Sequence, residues 1–106
     1  MGSIKDLGLI IKWEAIFSEE DFGRPISERL SEVLRRNVSK NDMANVAIQG
    51  NVSFSTIRDV VYRSNSLTKI NAFAIALLLH AAFENSIAYK LRAEGDIMFL
   101  SKLLEV

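Results

Sequence analysis

An apolar stretch from residue 70 to residue 83, INAFAIALLLHAAF, sets the strongest limit on how this chain folds. A helix of this composition is hydrophobic on nearly every face, so other elements must cover it. A bilayer-spanning helix needs roughly 18 or more apolar residues. This run is shorter and contains Asn71 and His80. We therefore expect a buried helix of a globular protein and no membrane partner.

Composition indicates one soluble domain over residues 1–106. The chain has 106 residues, of which 49% are hydrophobic and 25% charged, with one proline and no cysteine. These values exclude disorder and low-complexity sequence. A chain without cysteine forms no disulfide or thiolate metal site, which fits the cytoplasm. No signal peptide is evident, because Lys12 and Glu14 interrupt the first apolar segment.

Capping signals predict two short helices in the middle of the chain. Pro25, at a first helical position, and apolar residues at 26, 30, 33 and 34 predict a helix over about 25–36. Ser39 and Asp42 have capping-box spacing, so a second helix is expected from there to about Gln49. The dipeptide at 50–51, Gly-Asn, tolerates the left-handed backbone that ends a helix.

Two more helices are expected downstream. Ser53 can cap a helix whose inner face carries Ile57, Val60 and Val61. Thr68 can cap the long apolar helix, which is then expected to begin near Lys69. The predicted architecture is a compact all-α bundle with a core over 25–80, flanked by an N-terminal segment, 1–24, and a C-terminal extension, 81–106.

Three partners could cover the long apolar helix, and the sequence does not choose among them. The N-terminal segment, the C-terminal segment DIMFLSKLLEV and a second copy of the chain are all candidates. Residues 4–17 also support two interpretations, since apolar residues alternate from Leu9 to Phe17 as in a strand, whereas Ser3 and Asp6 form a capping box before a helical pattern. The helical character of the rest of the chain favours a helix.

Residues 43–60, MANVAIQGNVSFSTIRDV, resemble the helix-turn-helix of phage-repressor-like DNA-binding proteins. The resemblance depends on small Ala47 four residues before the turn, Val46 and Val52 around it, and the SFST start of the second helix. Asn51 stands where this family usually has glycine, and asparagine adopts the left-handed conformation more readily than most residues. Gly50 stands where a larger apolar residue is usual, which predicts loose packing near the turn.

The resemblance implies a sequence-specific regulator of transcription that binds double-stranded DNA as a homodimer, with half-sites about 34 Å apart. A tight turn would let the helix over about 53–63 enter the major groove. Arg58 could bind guanine with two hydrogen bonds, and Phe54 could contact a thymine methyl. The predicted base contacts, opposite the buried face, are Ser53, Phe54, Ser55, Arg58, Asp59 and Tyr62.

The distribution of charge supports this expectation although the net charge is zero. Residues 24–69 hold eight basic and four acidic side chains, a net charge of +4, whereas residues 1–23 have −3 and residues 70–106 have −1. Phosphates would meet the basic middle, while the acidic ends weaken nonspecific binding. The predicted phosphate contacts are Arg35, Arg36, Lys40, Thr56, Arg63 and Lys69.

Other functional classes have weaker support. His80 is the only histidine and is expected to be a core or interface residue, without spacing for a metal. Residues 19–21, Glu-Glu-Asp, read as the charged first turn of a short helix, and Trp13 and Phe17 as core or interface residues. No motif indicates an enzyme, a cofactor or a small-molecule ligand. The alternative function is a protein-interaction module, such as a phage or mobile-element accessory protein, on the same helical scaffold.

Overall fold

The structure is a computed structural model that describes residues 16–106, and its regular elements are all helical. A short 3₁₀-helix, Glu19–Asp21, is followed by α1 (Glu28–Asn37), α2 (Lys40–Gly50), α3 (Phe54–Val61) and α4 (Ala72–Leu104). Strand-like pairing in this part of the chain is limited to an isolated bridge between Arg24 and Leu67. The predicted all-α class is confirmed.

The segment before α1 has its own capping. Ser18 and Asp21 form a capping box around the 3₁₀-helix, so the acidic run begins a short helix as predicted. Phe17 is buried in the core, also as predicted. Trp13 and the choice between helix and strand for residues 4–15 lie outside the described residues.

Helix α1 begins three residues later than predicted. The Ser27 hydroxyl accepts a hydrogen bond from the Leu30 amide at 3.1 Å, which makes Ser27 the N-cap. Two backbone hydrogen bonds pair residues 23–24 with Leu67: the Gly23 amide donates to the Leu67 carbonyl at 2.8 Å, and the Leu67 amide donates to the Arg24 carbonyl at 3.0 Å. Pro25 follows this pairing directly and precedes the helix, so its prediction as a first helical residue was wrong.

The core forms where the first third of α4 packs against α1 and α2, while α2 packs against α3. Apolar periodicity on each helix explains this, because each short helix buries only one stripe. The largest fully buried side chains are Leu34, Ile57, Leu67, Ile75, Leu78, Val60 and Val61.

Gly50 permits close contact between α2 and α4. A Cβ atom placed on Gly50 would lie 2.5 Å from the Cβ of Ala74, where real Cβ atoms are essentially never found. Two small residues therefore let the end of α2 approach the first turn of α4. The expectation of loose packing near the turn was wrong, because the missing side chain is the condition for the contact.

Helix α4 begins at Ala72, three residues after the predicted start. Thr68 and Asn71 exchange hydrogen bonds, from the Asn71 amide to Thr68 Oγ1 at 3.2 Å and from the Thr68 amide to Asn71 Oδ1 at 2.9 Å. This reciprocal pair closes a turn over residues 68–71, and the helix starts after it. Thr68 thus caps the turn that leads into α4.

The C-terminal segment 96–106 does not fold back over the long helix. Residues up to Leu104 continue α4 without a break, so this candidate cover was wrong, and α4 runs straight through the predicted boundary at 80–81. Asn85 makes hydrogen bonds from α4 to the short helices α1 and α2. Its Nδ2 atom donates to the Asn37 carbonyl at 2.9 Å and to Asp42 Oδ2 at 3.0 Å. Beyond Asn85 the helix leaves the body of the domain.

Large apolar side chains remain exposed along this projecting part, as the hydrophobic excess predicted. Leu91 is 61% exposed and Leu104 68% exposed. His80 is also exposed, on the face of α4 opposite Leu78 and Ala82, so it is not a core residue. The alternative prediction, an interface residue, stays a prediction. By length and composition α4 is also long and apolar enough to cross a membrane, a test that core helices of soluble proteins pass as well.

Candidate nucleic-acid interface

The turn between α2 and α3 is short because both of its ends are capped. Asn51 has φ 57° and ψ 44°, a left-handed conformation that ends α2, and the Val52 amide donates to the Ala47 carbonyl at 3.0 Å. Ser53 then accepts from the Thr56 amide at 3.0 Å and begins α3. Three residues therefore change the direction of the chain between two helices. The predicted caps at Ser39, Asn51 and Ser53 are confirmed.

Packing fixes the inner face of α3. Ile57 and Val60 are fully buried and Val61 nearly so, as predicted. In addition, the buried hydroxyl of Ser31 on α1 donates to the Val61 carbonyl at 2.6 Å. No local pattern predicts this contact, because a serine within an amphipathic helix resembles a surface residue. The bond holds the last turn of α3 against α1 and leaves the opposite face of α3 outward.

The first turn of α3 presents three hydroxyl groups near the surface. Ser53 Oγ lies 3.1 Å from Ser55 Oγ and 2.8 Å from Thr56 Oγ1. Ser53 and Ser55 are exposed, whereas Thr56 is half-buried. Since the lone pairs of Ser53 Oγ serve the cap, Ser55 has the freer hydroxyl of the two exposed serines. These residues lie where base and phosphate contacts were predicted.

Phe54 and Asp59 are less open than the other predicted base contacts. Phe54 is half-buried and packs against the core, where it lines a groove with Val38 and Met43. Its ring is therefore less open to a partner than that of a fully exposed residue, and the contact with a thymine methyl stays a prediction. Asp59 is half-buried and its carboxylate is paired with Arg58.

Arg58 is the exposed cation of α3. Its Nη2 atom lies 3.0 Å from Asp59 Oδ1, and its Nε atom donates to the same oxygen at 3.1 Å. The side chains are 50% and 40% exposed, respectively. An exposed ion pair of this kind contributes only about 0–1 kcal/mol, so Arg58 can exchange Asp59 for another acceptor at small cost.

Tyr62 links two grooves on this side of the domain. It is 58% exposed, and the Arg35 guanidinium lies 5.7 Å from the centre of its ring. Ser31 Oγ accepts from Arg35 Nε at 3.2 Å, so Arg35 is held beside α3. Tyr62 lines one groove with Lys40 and Arg58 and another with Arg35. The outer face of α3 and one face of α1 thus form a continuous surface.

The predicted phosphate contacts fall into two groups. Arg36 and Lys40 are exposed and have no ion-pair partner among the described residues. Arg63, in contrast, has φ 65° and donates through Nε to the Ile26 carbonyl at 2.7 Å, a contact that fixes the end of α3. Lys69 lies 3.1 Å from Glu19, beside the acidic 3₁₀-helix. The latter two cations therefore have structural partners already.

The surface is only weakly basic in detail. The groove along α3 combines Lys40 and Arg58 with Asp59. The groove along α1 has three arginines, Arg29, Arg35 and Arg63, against Glu28 and Glu32. Arg29 was not among the predicted contacts, although it is an exposed arginine on the same surface. Among residues 16–106 there is no group of three histidine, aspartate or glutamate side chains able to hold a metal ion.

Comparisons with known protein families, with curated proteins and with solved structures give no match for this chain.

Proposed function

We propose that this chain is a sequence-specific regulator of transcription that inserts α3 into the major groove of double-stranded DNA, and that it acts as a homodimer. The observation that carries the proposal is the way in which burial and hydrogen bonds hold α3 in place. Its inner face is completely buried, its start and end are fixed by Ser53 and by the Ser31 contact, and its outer face is polar and open. A helix held in this way is a rigid reading element.

The dimensions of α3 suit this role. An α-helix with its side chains is about 10–12 Å in diameter, and the major groove is about 12 Å wide, so the eight-residue α3 can enter it. Ser55, Arg58 and Tyr62 lie on successive turns of the open face, so their side chains would reach neighbouring base pairs. Arg58 is the strongest candidate for specificity, because two parallel hydrogen bonds to guanine are the commonest specific contact.

Phosphate contacts would come from the surface around α3. Arg36 and Lys40 are open on either side of the α1–α2 connection, and Arg35 is held beside Tyr62. Acidic side chains lie among these cations, so the attraction to DNA in general is modest. Base contacts and dimerisation would therefore account for more of the affinity than in a strongly basic protein.

Selection of bound sequences from random duplex DNA, followed by binding measurements on the selected site, tests this function. Arg58→Ala should weaken binding by about fivefold to 150-fold for each half-site and relax the preference at one base pair of each half-site. Arg92→Ala is the matched control, since Arg92 is an exposed arginine on the projecting part of α4. Arg36→Ala should weaken all sequences alike and lower the slope of log K against log salt by about 0.9 per subunit, or about 1.8 for the dimer.

Absence of binding to any duplex near 50 mM salt would refute the proposal, because phosphate contacts are strongest at low salt. Binding in which Arg58→Ala and Arg92→Ala behave alike would remove Arg58 from recognition.

A second candidate function has one observation in its favour. The last turns of α4 expose Ile97, Phe99 and Leu103, each more than 60% accessible, a density that single surface residues do not explain. A protein-interaction module would use this surface for a partner chain. Failure of every DNA-binding assay, together with an intact fold, would favour it.

A further inference from the structure

We propose that the outward face of α4 is a dimer interface in which two copies of this chain pair through their α4 helices in an antiparallel orientation. The homodimer of the proposed function is the starting point, but the pairing does not require DNA binding. The occupant of the face is a second copy of the same helix, and the charges along α4 fix its direction.

The face consists of four apolar side chains spaced along one side of the helix. Phe83, Ile87, Leu91 and Met98 are 64%, 42%, 61% and 65% exposed, respectively. At about 3.6 residues per turn they fall within one narrow stripe. This stripe lies opposite the side on which α4 packs against the core, so the domain itself does not obstruct a neighbouring helix.

The charged residues on the same face alternate in sign, so that the face is complementary to a second copy running in the opposite direction. From the N-terminal to the C-terminal end they are Glu84, Lys90, Glu94 and Lys102, all exposed and without an ion-pair partner among the described residues. The signs therefore alternate, beginning negative and ending positive. A helix read in the opposite direction presents the opposite sign at each of these positions.

One register satisfies all the pairs at once. In an antiparallel two-fold pair, a residue meets the residue equally far beyond the midpoint on the other helix. The midpoint of Glu84 and Lys102 is residue 93, and that of Lys90 and Glu94 is residue 92. Ile87 and Met98 share a midpoint between residues 92 and 93. Ion pairs and apolar contacts thus agree on the same two-fold axis to within one residue.

A parallel pair is disfavoured by the same charges. In a parallel, in-register arrangement each residue meets its own copy, so Glu84 would face Glu84 and Lys102 would face Lys102. Like charges at such positions repel. The five turns between Glu84 and Lys102 bring both to the same flank of the stripe, where the antiparallel contact forms.

Cysteine crosslinking tests the orientation. The natural chain has no cysteine, so an introduced one is unique. Mixing Ile87→Cys chains with Met98→Cys chains under mild oxidation should give a covalent dimer that contains one copy of each. Each variant alone should crosslink poorly. Strong crosslinking of Ile87→Cys with itself would show a parallel pair and overturn the proposal.

Charge reversal tests the register. Glu84→Lys and Lys102→Glu should each raise the dimer dissociation constant at low salt by about threefold to tenfold, because two ion pairs become two repulsive contacts. The double variant should restore the natural value. Both residues are exposed, so circular dichroism should show the same helical content in all variants. Equal dissociation constants in all four proteins would refute the register.

Sedimentation of the natural chain decides between occupants of the face. A concentration-dependent dimer in the micromolar range, without DNA, is the expected result. A monomer at 100 μM would overturn the proposal and leave residues 1–15 or a lipid surface as the occupant of the face. Pelleting of that monomer with phosphatidylcholine vesicles would identify the lipid case. Since none of these measurements contains DNA, their outcome is independent of the binding assays for α3.

Discussion

Gly50→Ala reverses the usual effect of this substitution. Replacing a helical glycine by alanine ordinarily stabilises a protein by about 0.5–1 kcal/mol, because alanine loses less backbone freedom on folding. Gly50 is the last residue of α2 and has no left-handed backbone requirement. Helix propensity alone therefore predicts that Gly50→Ala raises stability. The contact with Ala74 predicts the opposite.

The magnitude follows from the distance between the two helices. The new Cβ would lie 2.5 Å from Ala74 Cβ and 3.2 Å from Ala74 Cα. Carbon atoms pack best at about 3.5–4.0 Å, so the helices would have to separate by about 1 Å. Forcing an extra group into a packed site costs about 1–3 kcal/mol. After the gain in propensity, we expect a net loss of about 1–2 kcal/mol in the free energy of unfolding.

Thermal and urea unfolding measure this loss. The melting temperature should fall by about 4–16 °C. Gly95→Ala is the matched control, because Gly95 is also helical but a Cβ there has no neighbour within 4 Å. This control should be neutral or more stable by up to about 1 kcal/mol. A Gly50→Ala protein as stable as the natural chain, or more stable, would refute the close packing of α2 against α4.

Two further predictions concern the turn after α2 and the outer face of α3. Asn51→Gly should leave the free energy of unfolding unchanged or raise it, whereas Asn51→Ala should lower it by about 1–2 kcal/mol. The reason is the φ of 57°, a left-handed conformation that glycine and asparagine adopt more readily than alanine does. Equal unfolding midpoints for the two variants would contradict this prediction. Asp59→Asn should tighten binding to the selected DNA site by about twofold to tenfold, because it frees Arg58 and removes a negative charge from the groove. The control, Glu20→Gln on the 3₁₀-helix, should have little effect. Unchanged affinity of the Asp59→Asn protein in filter binding would show that Asp59 does not restrain Arg58.

Local signals in the sequence were sufficient for most of the fold. The caps at Ser39 and Ser53 and the turn at Asn51 were predictable, because each depends on residues within three or four positions of one another. The buried face of α3 was also predictable from its periodicity. These features set the order and type of the helices.

Long-range contacts explain the errors. Pro25 was assigned to α1, but the backbone pairing of residues 23–24 with Leu67 holds this segment outside the helix. Gly50 predicted loose packing near the turn, because the local sequence does not show that Ala74 is its neighbour. The segment 96–106 was a possible cover, yet nothing in it breaks α4, since its strong helix formers continue the helix to Leu104.

The candidate site was predictable in outline and less so in detail. Exposure of Ser55, Arg58 and Tyr62 follows from their spacing on α3. The partial burial of Phe54 depends on Val38 and Met43, which precede it by more than ten residues. The separation of Arg63 from the open cations depends on a distant carbonyl acceptor, that of Ile26, which no local pattern reveals.

Because α4 is unbroken, its length determines the distance between the two domains in the proposed dimer. Ala74 marks the level at which the end of α2, directly before the turn into α3, contacts α4, and the proposed two-fold axis passes near residue 93. At 1.5 Å per residue, the two turns in a dimer are separated by about 55–57 Å along the paired helices. One turn of DNA, about 34 Å, is too short for this span. If both proposals hold, selected operators should therefore have half-sites farther apart than the roughly 34 Å that the family resemblance implies, and the length of α4 would set the distance.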